Sequence, residues 1–286
     1  MRLNSDVKTC LGCVEPIITR IIIEASELPV IVSLATGCLE VSSTKYPGTS
    51  WNVPVIHSAF GNSAATISGV EAAYNALRKK GEAKENLNFL VIAGDGGTYD
   101  IGLQALSGAM ERMHKFVYVC LDNAGYMNTG GQRSSSTPYA GITSTTPEGK
   151  PTFRKDLIKI AAAHNIPYIA QASIFDIEDL KRKAKKAFSA QGPALINVLA
   201  PCPRYWRFEP QNMRKINELS ASTCFWPLFE IENGRTKINY LPEQKMPVET
   251  FLSMQGRFKG ITKSQIQALQ EKIDNEWEEL KKISSA

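Results

Sequence analysis

The chain has 286 residues, 43% of them hydrophobic and 21% charged, with 33 basic against 28 acidic side chains and a net charge of +5. That is enough chain for one large domain or two small ones, and the composition excludes a disordered or fibrous protein. The basic excess is spread along the chain instead of gathered into blocks, so no nucleic-acid partner is expected and an acidic partner gains only weak support.

Met1 to Lys8 is polar and lacks the apolar core of an export signal, and the apolar stretch after it is interrupted by Glu15, Arg20, Glu24 and Glu27. A cytoplasmic location and no membrane partner are expected. Val14, Ile17, Ile18, Ile21 and Ile22 then recur at the spacing of one buried helix face. Short apolar runs read as strands at Leu28 to Leu34, Leu87 to Ala93, Phe116 to Leu121, Pro167 to Ala170 and Ala194 to Leu199. Helical patterning lies between them at Ala64 to Arg78, Ile101 to Met113, Asp156 to His164 and Ile174 to Phe188. Its basic stretch, Lys181 to Lys186, reads as a solvated helix face. Near-continuous apolar strands separated by helices predict an α/β fold with a mostly parallel central sheet and helices on both faces.

After Cys202 the character changes. Trp206, Trp226 and Pro227 precede a hairpin expected near Glu232, Asn233 and Gly234, and a last helix begins with Thr262 and Gln265 in capping-box spacing. Residues 1–203 are thus expected to form the α/β domain, and residues 204–286 a C-terminal extension too poor in apolar side chains to fold alone. That extension is expected to wrap the core or clasp another subunit.

Two constellations carry chemistry. Gly94-Asp95-Gly96-Gly97 follows a buried strand, and Asn123 stands at the end of the next one, in Leu121-Asp122-Asn123-Ala124-Gly125. Adjacent strand ends of a parallel sheet bring such loops together where ligands of open α/β sheets bind. The glycines let backbone amides approach phosphate oxygens, and Asp95, Asn123 and the Gly125 carbonyl are hard oxygen donors of the kind Mg2+ takes. Taken alone, a Gly-Asp-Gly turn is a common strand ending; the spaced Asn is what raises its weight.

The second constellation is Cys10-Leu11-Gly12-Cys13 with Cys38 and Cys202, each in a loop or at a strand end. With no export signal, a disulfide framework is not expected, and four thiolates suit zinc and an iron–sulfur cluster equally well. Cys120, inside an apolar strand, and Cys224, beside Phe225, read as packed thiols. His57, His114 and His164 do not cluster and receive no role. The loop running from Asn128-Thr129-Gly130-Gly131 through Arg133, Ser134, Ser135 and Ser136 reads either as mobile surface or as a lid beside the magnesium ligands.

Together these residues resemble the β chain of the pyruvate:ferredoxin oxidoreductase family. Cys10-Leu11-Gly12-Cys13, Thr36-Gly37-Cys38, Gly94-Asp95-Gly96, Asp122-Asn123, Asn128-Thr129-Gly130-Gly131-Gln132 and Ala200-Pro201-Cys202-Pro203 occur in the family's order, between residue 10 and about residue 230. The resemblance implies thiamine diphosphate bound through Mg2+ at Asp95, Asn123 and Gly125, with Thr36, Gly37, Gly94, Gly96 and Gly97 lining the cofactor. It implies that Asn128 faces the thiazolium and the substrate. It also chooses a [4Fe–4S] cluster over zinc, held by Cys10, Cys13, Cys38 and Cys202 near the thiamine.

The implied reaction is CoA-dependent oxidative decarboxylation of a 2-oxoacid, whose two electrons must leave singly, with ferredoxin as final acceptor. The Glu that activates thiamine resembles one carried by a separate α-type chain, and further clusters and coenzyme A contacts would lie on γ- and δ-type chains. Gly97-Thr98 and Arg204-Tyr205-Trp206 depart from the pyruvate pattern and bear on the choice of 2-oxoacid. Pyruvate is placed first, ahead of branched-chain or aryl 2-oxoacids, 2-oxoglutarate and oxalate. A non-oxidative thiamine enzyme would need no cysteine tetrad, and a zinc-stabilised assembly subunit would need no thiamine.

Overall fold

The computed structural model describes residues 1–284. Helix α1 (Glu15–Glu24) leads to β1 (Val30–Ala35), α2 (Cys38–Ser43), β2 (Val55–Ser58), α3 (Ser63–Lys79) and β3 (Asn88–Gly94). A π-helical turn at Gly96–Asp100 follows, then α4 (Leu103–Glu111), β4 (Val117–Asp122), α5 (Leu157–Ala162), β5 (Tyr168–Ser173), α6 (Ile177–Ser189) and β6 (Ala194–Leu199). The remainder forms α7 (Pro203–Trp206), α8 (Met213–Ser222), β7 (Phe229–Glu232), β8 (Arg235–Ile238), α9 (Val248–Leu252) and α10 (Lys263–Ser284), with a 3-10 turn at Gly256–Phe258.

The eight strands among the described residues join one sheet in the order β2-β1-β3-β4-β6-β5-β7-β8. The first six are mutually parallel, and the hairpin β7–β8 adds an antiparallel edge through β7 against β5. Strands β3, β4, β5 and β6 are buried almost throughout, which is why they read as continuous apolar runs and not as alternating ones. Connections that run towards the β8 edge (α3, α4, α5) and those that run back (α2, α6) fall on opposite faces, because parallel crossovers are right-handed. Helix α1 packs on α6, and α3 on α4. The expected fold class is therefore the observed one.

Three local readings change. Strand β2 and helices α2 and α8 were not visible in the pattern, β2 because only four residues form it and half of them are exposed. The buried face of α1 is rotated from the expected one: Ile17 is 46% exposed, whereas Glu15, Thr19 and Ile23 turn inward. Lys183, expected on a solvated face, is fully buried; it donates to the Gln171 carbonyl at 2.8 Å and pairs with Asp179. The capping box of α10 forms reciprocally, Thr262 N donating to Gln265 Oε1 at 2.9 Å and Gln265 N to Thr262 Oγ1 at 3.2 Å. Leu269, Ile273, Trp277 and Leu280 then bury one stripe of that helix beside β8.

No helix among the described residues is long and apolar enough to cross a membrane.

Candidate active site

Four neighbouring parallel strands, β1, β3, β4 and β6, end at one edge of the sheet, and the sequence motifs sit on those ends. Thr36-Gly37-Cys38 follows β1, Gly94-Asp95 closes β3, Asp122-Asn123 closes β4, and Cys202 lies just past β6. The chain leaves β1 towards β2 and returns to β3 on the other side, which makes this edge a topological switch point. A cavity of about 230 Å³ opens there. Thr36, Gly37, Gly94, Asp95, Gly96, Asn123, Gly125 and Asn128 all line it.

The register Gly94↔Leu121 sets Asp95 beside Asp122, with Asn123 one step further along. Asp95 and Asp122 are both buried, and burial pushes both carboxyls above their usual range; the charge of Asp122 adds to the rise at Asp95. Their partners differ. Asp122 accepts from Tyr99 Oη and from Ser136 Oγ, each at 2.7 Å, and from Ala124 N at 3.1 Å, so it is saturated. Asp95 accepts from Ser134 Oγ through one oxygen, while its Oδ1 is buried without a partner.

Asn123 repeats the pattern. Its Nδ2 donates to Glu15 Oε1 at 2.9 Å and its carbonyl accepts from Trp206 Nε1 at 2.7 Å, yet its Oδ1 is buried and unpartnered. Buried polar atoms are nearly always paired, so two orphaned oxygens in one cavity fit a hard cation that completes them. Gly125 is a third donor of that kind: its carbonyl accepts from Met127 N at 3.0 Å and keeps a second lone pair. A Cβ at Gly96 would meet the Tyr126 ring at 2.2 Å, so only glycine lets the π-helical turn close against that tyrosine. Such turns recur at functional sites. Gly97 does not line the cavity; it packs inside the same turn, against Phe60 and Gly102.

The serine-rich loop is hydrogen-bonded to the strand ends and the π-helical turn. Three consecutive hydroxyls each cap one carboxylate: Ser134 on Asp95, Ser135 on Asp100 and Ser136 on Asp122. Asp100 also accepts from Tyr126 Oη at 2.7 Å. Tyr205 packs onto Gly131, where a Cβ would meet its ring at 2.3 Å.

The cysteines separate into two groups. Gly12, at φ +77°, turns the Cys10–Cys13 loop so tightly that a Cβ there would meet Pro210 at 2.8 Å and Pro203 at 3.5 Å, which docks this loop beside Cys202. Cys38 lines the cavity. Burial raises the Cys13, Cys38 and Cys202 thiols, Cys202 to about 11, and the charge of Glu15 adds to each. Cys38 also interacts with Cys202, Cys13 and Cys10, so all four share one electrostatic neighbourhood. Cys120 is sealed inside β4, and Cys224 follows α8 on the side of α10. Among the described residues, no group of three or more His, Cys, Asp or Glu side chains is drawn in to hold a single metal ion.

Sequence reasoning gave no role to Glu15, Glu40, Phe60 and Met127, all of which line the cavity, as does Thr129 of the Asn128-Thr129 motif. Glu15 was legible in one respect: it is a charge on an otherwise apolar helix, two residues past Cys13. Burial raises its pKa to about 6, and the Asn123 bond opposes the rise. His57 does not line the cavity but contacts two residues that do, with Nε2 2.9 Å from Thr36 Oγ1 and 3.7 Å from Glu40 Oε2.

Comparison with known proteins defines the class first. Residues 35–198 match the thiamine pyrophosphate enzyme C-terminal TPP binding domain, so this is a thiamine-diphosphate-binding α/β fold. The chain is 48% identical over 272 residues to the pyruvate synthase subunit PorB of Methanocaldococcus jannaschii, covering 93% of this chain and 91% of the relative. It is 45% identical to the PorB subunit of Thermotoga maritima, covering 96% and 89%. It is 44% identical to the ketoisovalerate oxidoreductase subunit VorB of Pyrococcus horikoshii, covering 96% and 91%. A 2-oxoglutarate:ferredoxin oxidoreductase from Magnetococcus marinus shares the fold at a TM-score of 0.60 and 21% identity, covering 93% of this chain and 94% of its own. The chain belongs to the β-subunit family of pyruvate and other 2-oxoacid:ferredoxin oxidoreductases, and is one subunit of a multi-subunit enzyme.

Proposed function

We propose that this chain binds thiamine diphosphate through Mg2+ held by Asp95, Asn123 and the Gly125 carbonyl, and carries a [4Fe–4S] cluster on Cys10, Cys13, Cys38 and Cys202. The observation that carries the reading is the pair of buried, unpartnered oxygens, Asp95 Oδ1 and Asn123 Oδ1, in one cavity at the switch point of the sheet. The glycines of Gly94-Asp95-Gly96 and Thr36-Gly37 leave room for the diphosphate and the thiazolium, Gly97 keeps the turn closed, and Asn128 faces the reacting centre. Glu15 acts behind the metal, turning the Asn123 amide so that its nitrogen is occupied and its oxygen is free.

The four cysteines share one electrostatic neighbourhood, and four thiolates suit zinc as well as a cubane cluster; the choice of the cluster rests on the likeness to the oxidoreductase β subunits. When bound, the thiamine supplies the carbon nucleophile for the 2-oxoacid carbonyl and the cluster takes up electrons one at a time. The chain's own work is to hold both groups in place on adjacent strand ends.

Pyruvate is the first substrate, supported by the likeness to pyruvate synthase subunits; a branched-chain 2-oxoacid is the second, supported by the 44% identity to a ketoisovalerate oxidoreductase subunit. Aryl 2-oxoacids, 2-oxoglutarate and oxalate follow. The assembly is completed in the cytoplasm by an α-type subunit that supplies the thiamine-activating Glu, and by γ- and δ-type subunits with further [4Fe–4S] clusters. Coenzyme A and ferredoxin are the remaining reactants. The extension from residue 204 onward packs on the core or on those partners.

The test is anaerobic purification of the whole complex, assay of iron, sulfide, zinc and thiamine diphosphate, and low-temperature EPR before and after pyruvate and coenzyme A. A [4Fe–4S] signal that grows with pyruvate establishes function and substrate together. An unresponsive cluster moves the assignment to another 2-oxoacid, and zinc without thiamine overturns it.

A further inference from the structure

Arg257 lies far in sequence from the motifs, in the 3-10 turn Gly256–Phe258, yet the fold carries it to the Cys202 side of the site. That turn docks on α7, the short helix that starts immediately after Cys202, with Gly256 N donating to the Arg207 carbonyl at 3.0 Å. The Arg257 guanidinium lies 3.6 Å from the centre of the Trp206 ring. Trp206 in turn binds the Cys202 carbonyl through its backbone N at 2.9 Å and the Asn123 carbonyl through Nε1 at 2.7 Å.

The side chain is 2% exposed; Nε donates to Gln255 Oε1 at 2.9 Å, and neither Nη1 nor Nη2 has a partner. A buried guanidinium with both terminal nitrogens unbonded is costly unless an anion faces it. Burial lowers its pKa to about 9, which leaves it cationic at neutral pH, and the acidic groups it interacts with are Asp122, Cys202 and Asp95. Asp122 is the strongest of these charge interactions, but it is hydrogen-bonded to Ser136, Tyr99 and Ala124 and bonds neither Nη group, which leaves both nitrogens open to an anion on the Cys202 side.

We propose that Arg257, stacked on Trp206 behind Cys202, is the buried counter-charge to the iron–sulfur cluster and holds its reduction potential up. The inference rests on the cluster assignment above. One electron arrives from oxidation of the 2-oxoacid and one leaves to ferredoxin; no bond forms or breaks on Arg257. A fixed cation beside the cluster favours the state with one more negative charge, and it does so most where water is excluded. Arg257 is a positioning and tuning residue, not a catalytic one.

The experiment uses the whole complex with Arg257→Met, Arg257→Gln and Arg257→Lys. Iron, sulfide and thiamine diphosphate are assayed first, and the midpoint potential of the cluster is then followed by EPR-monitored redox titration. The expected result is full cofactor content with a reduction equilibrium at least about tenfold less favourable in both neutral variants, about 59 mV for one electron. Arg257→Lys should stay near wild type. Loss of iron from the neutral variants with retention in Arg257→Lys also supports the counter-charge. An unchanged midpoint in cluster-replete neutral variants overturns the proposal, as does equal loss of iron from all three, which would mark Arg257 as packing. Absence of iron and sulfide from the wild-type complex is a different failure, that of the cluster assignment itself.

Discussion

Two cavities in this molecule differ in a way that separates chemistry from packing. The one at the strand ends measures about 230 Å³ and contains the orphaned oxygens of Asp95 and Asn123. The other, about 710 Å³, lies between β5, β7 and α10, walled by side chains such as Ile158, Ile169, Phe225, Phe229 and Trp277. Several of its polar groups are engaged: Asp156 caps α5 through Lys159 N at 2.9 Å, Gln171 donates to the Pro227 carbonyl at 2.9 Å, and Lys159 pairs with Glu279 at 2.8 Å. None of the buried unpartnered atoms among the described residues lines it. Size therefore does not identify the site; what distinguishes it is two unpartnered oxygens converging on one cavity, whereas the orphaned atoms of Thr19, Asn197 and Asn239 line neither cavity.

The comparison is sharpest at Asp95. Asp95→Ala removes the only charged magnesium ligand, and Mg2+-dependent retention of thiamine diphosphate should fall by roughly 100-fold or more, with activity lost. Unchanged cofactor content in the purified complex would dissolve the distinction between the two cavities. Cys202→Ser should next abolish the cluster and electron transfer while thiamine remains bound; a full iron content would remove Cys202 from the ligand set.

Glu15→Ala, which frees the Asn123 amide to rotate, should weaken Mg2+–thiamine binding by about 10–100-fold, the usual effect of losing a group behind a metal ligand. Glu15→Gln, which keeps an acceptor for Nδ2, should restore most of it, and titration of apo-complex with cofactor distinguishes the two. Gly96→Ala forces a Cβ into the Tyr126 ring and should cost about 1–3 kcal/mol in thermal unfolding, with looser cofactor binding. The smallest effect belongs to the larger cavity. Ile283→Ser, at its half-exposed rim, should change stability by no more than about 0.5 kcal/mol and leave iron and thiamine contents at wild-type levels. A selective loss of activity there would give that cavity a function.

The two regions were unequally legible in the sequence. Strands β3, β4 and β6 announced themselves because burial on both faces requires continuous apolar side chains, and each was placed almost to the residue. The α10 helix was marked by its capping box. Strand β2 was missed because its pairing with β1, not its composition, makes it a strand. Lys183 was misplaced because a buried lysine looks like a solvated one until Asp179 and the Gln171 carbonyl are known to face it.

The sequence by itself determined the parallel α/β fold, the Gly-Asp-Gly and Asp-Asn pair on successive strands, and the division of the cysteines into four loop thiols and two packed ones. Those features are local: periodicity, turn chemistry and residue type write them directly into short segments. Tertiary structure alone decided that β1, β3, β4 and β6 stand side by side, that Glu15 reaches Asn123, that Ser134, Ser135 and Ser136 each meet a different carboxylate, and that Arg257 lies over Trp206. Each of those contacts joins residues far apart in the chain, and what selects them is strand order and burial of a shared core, neither of which any short segment encodes.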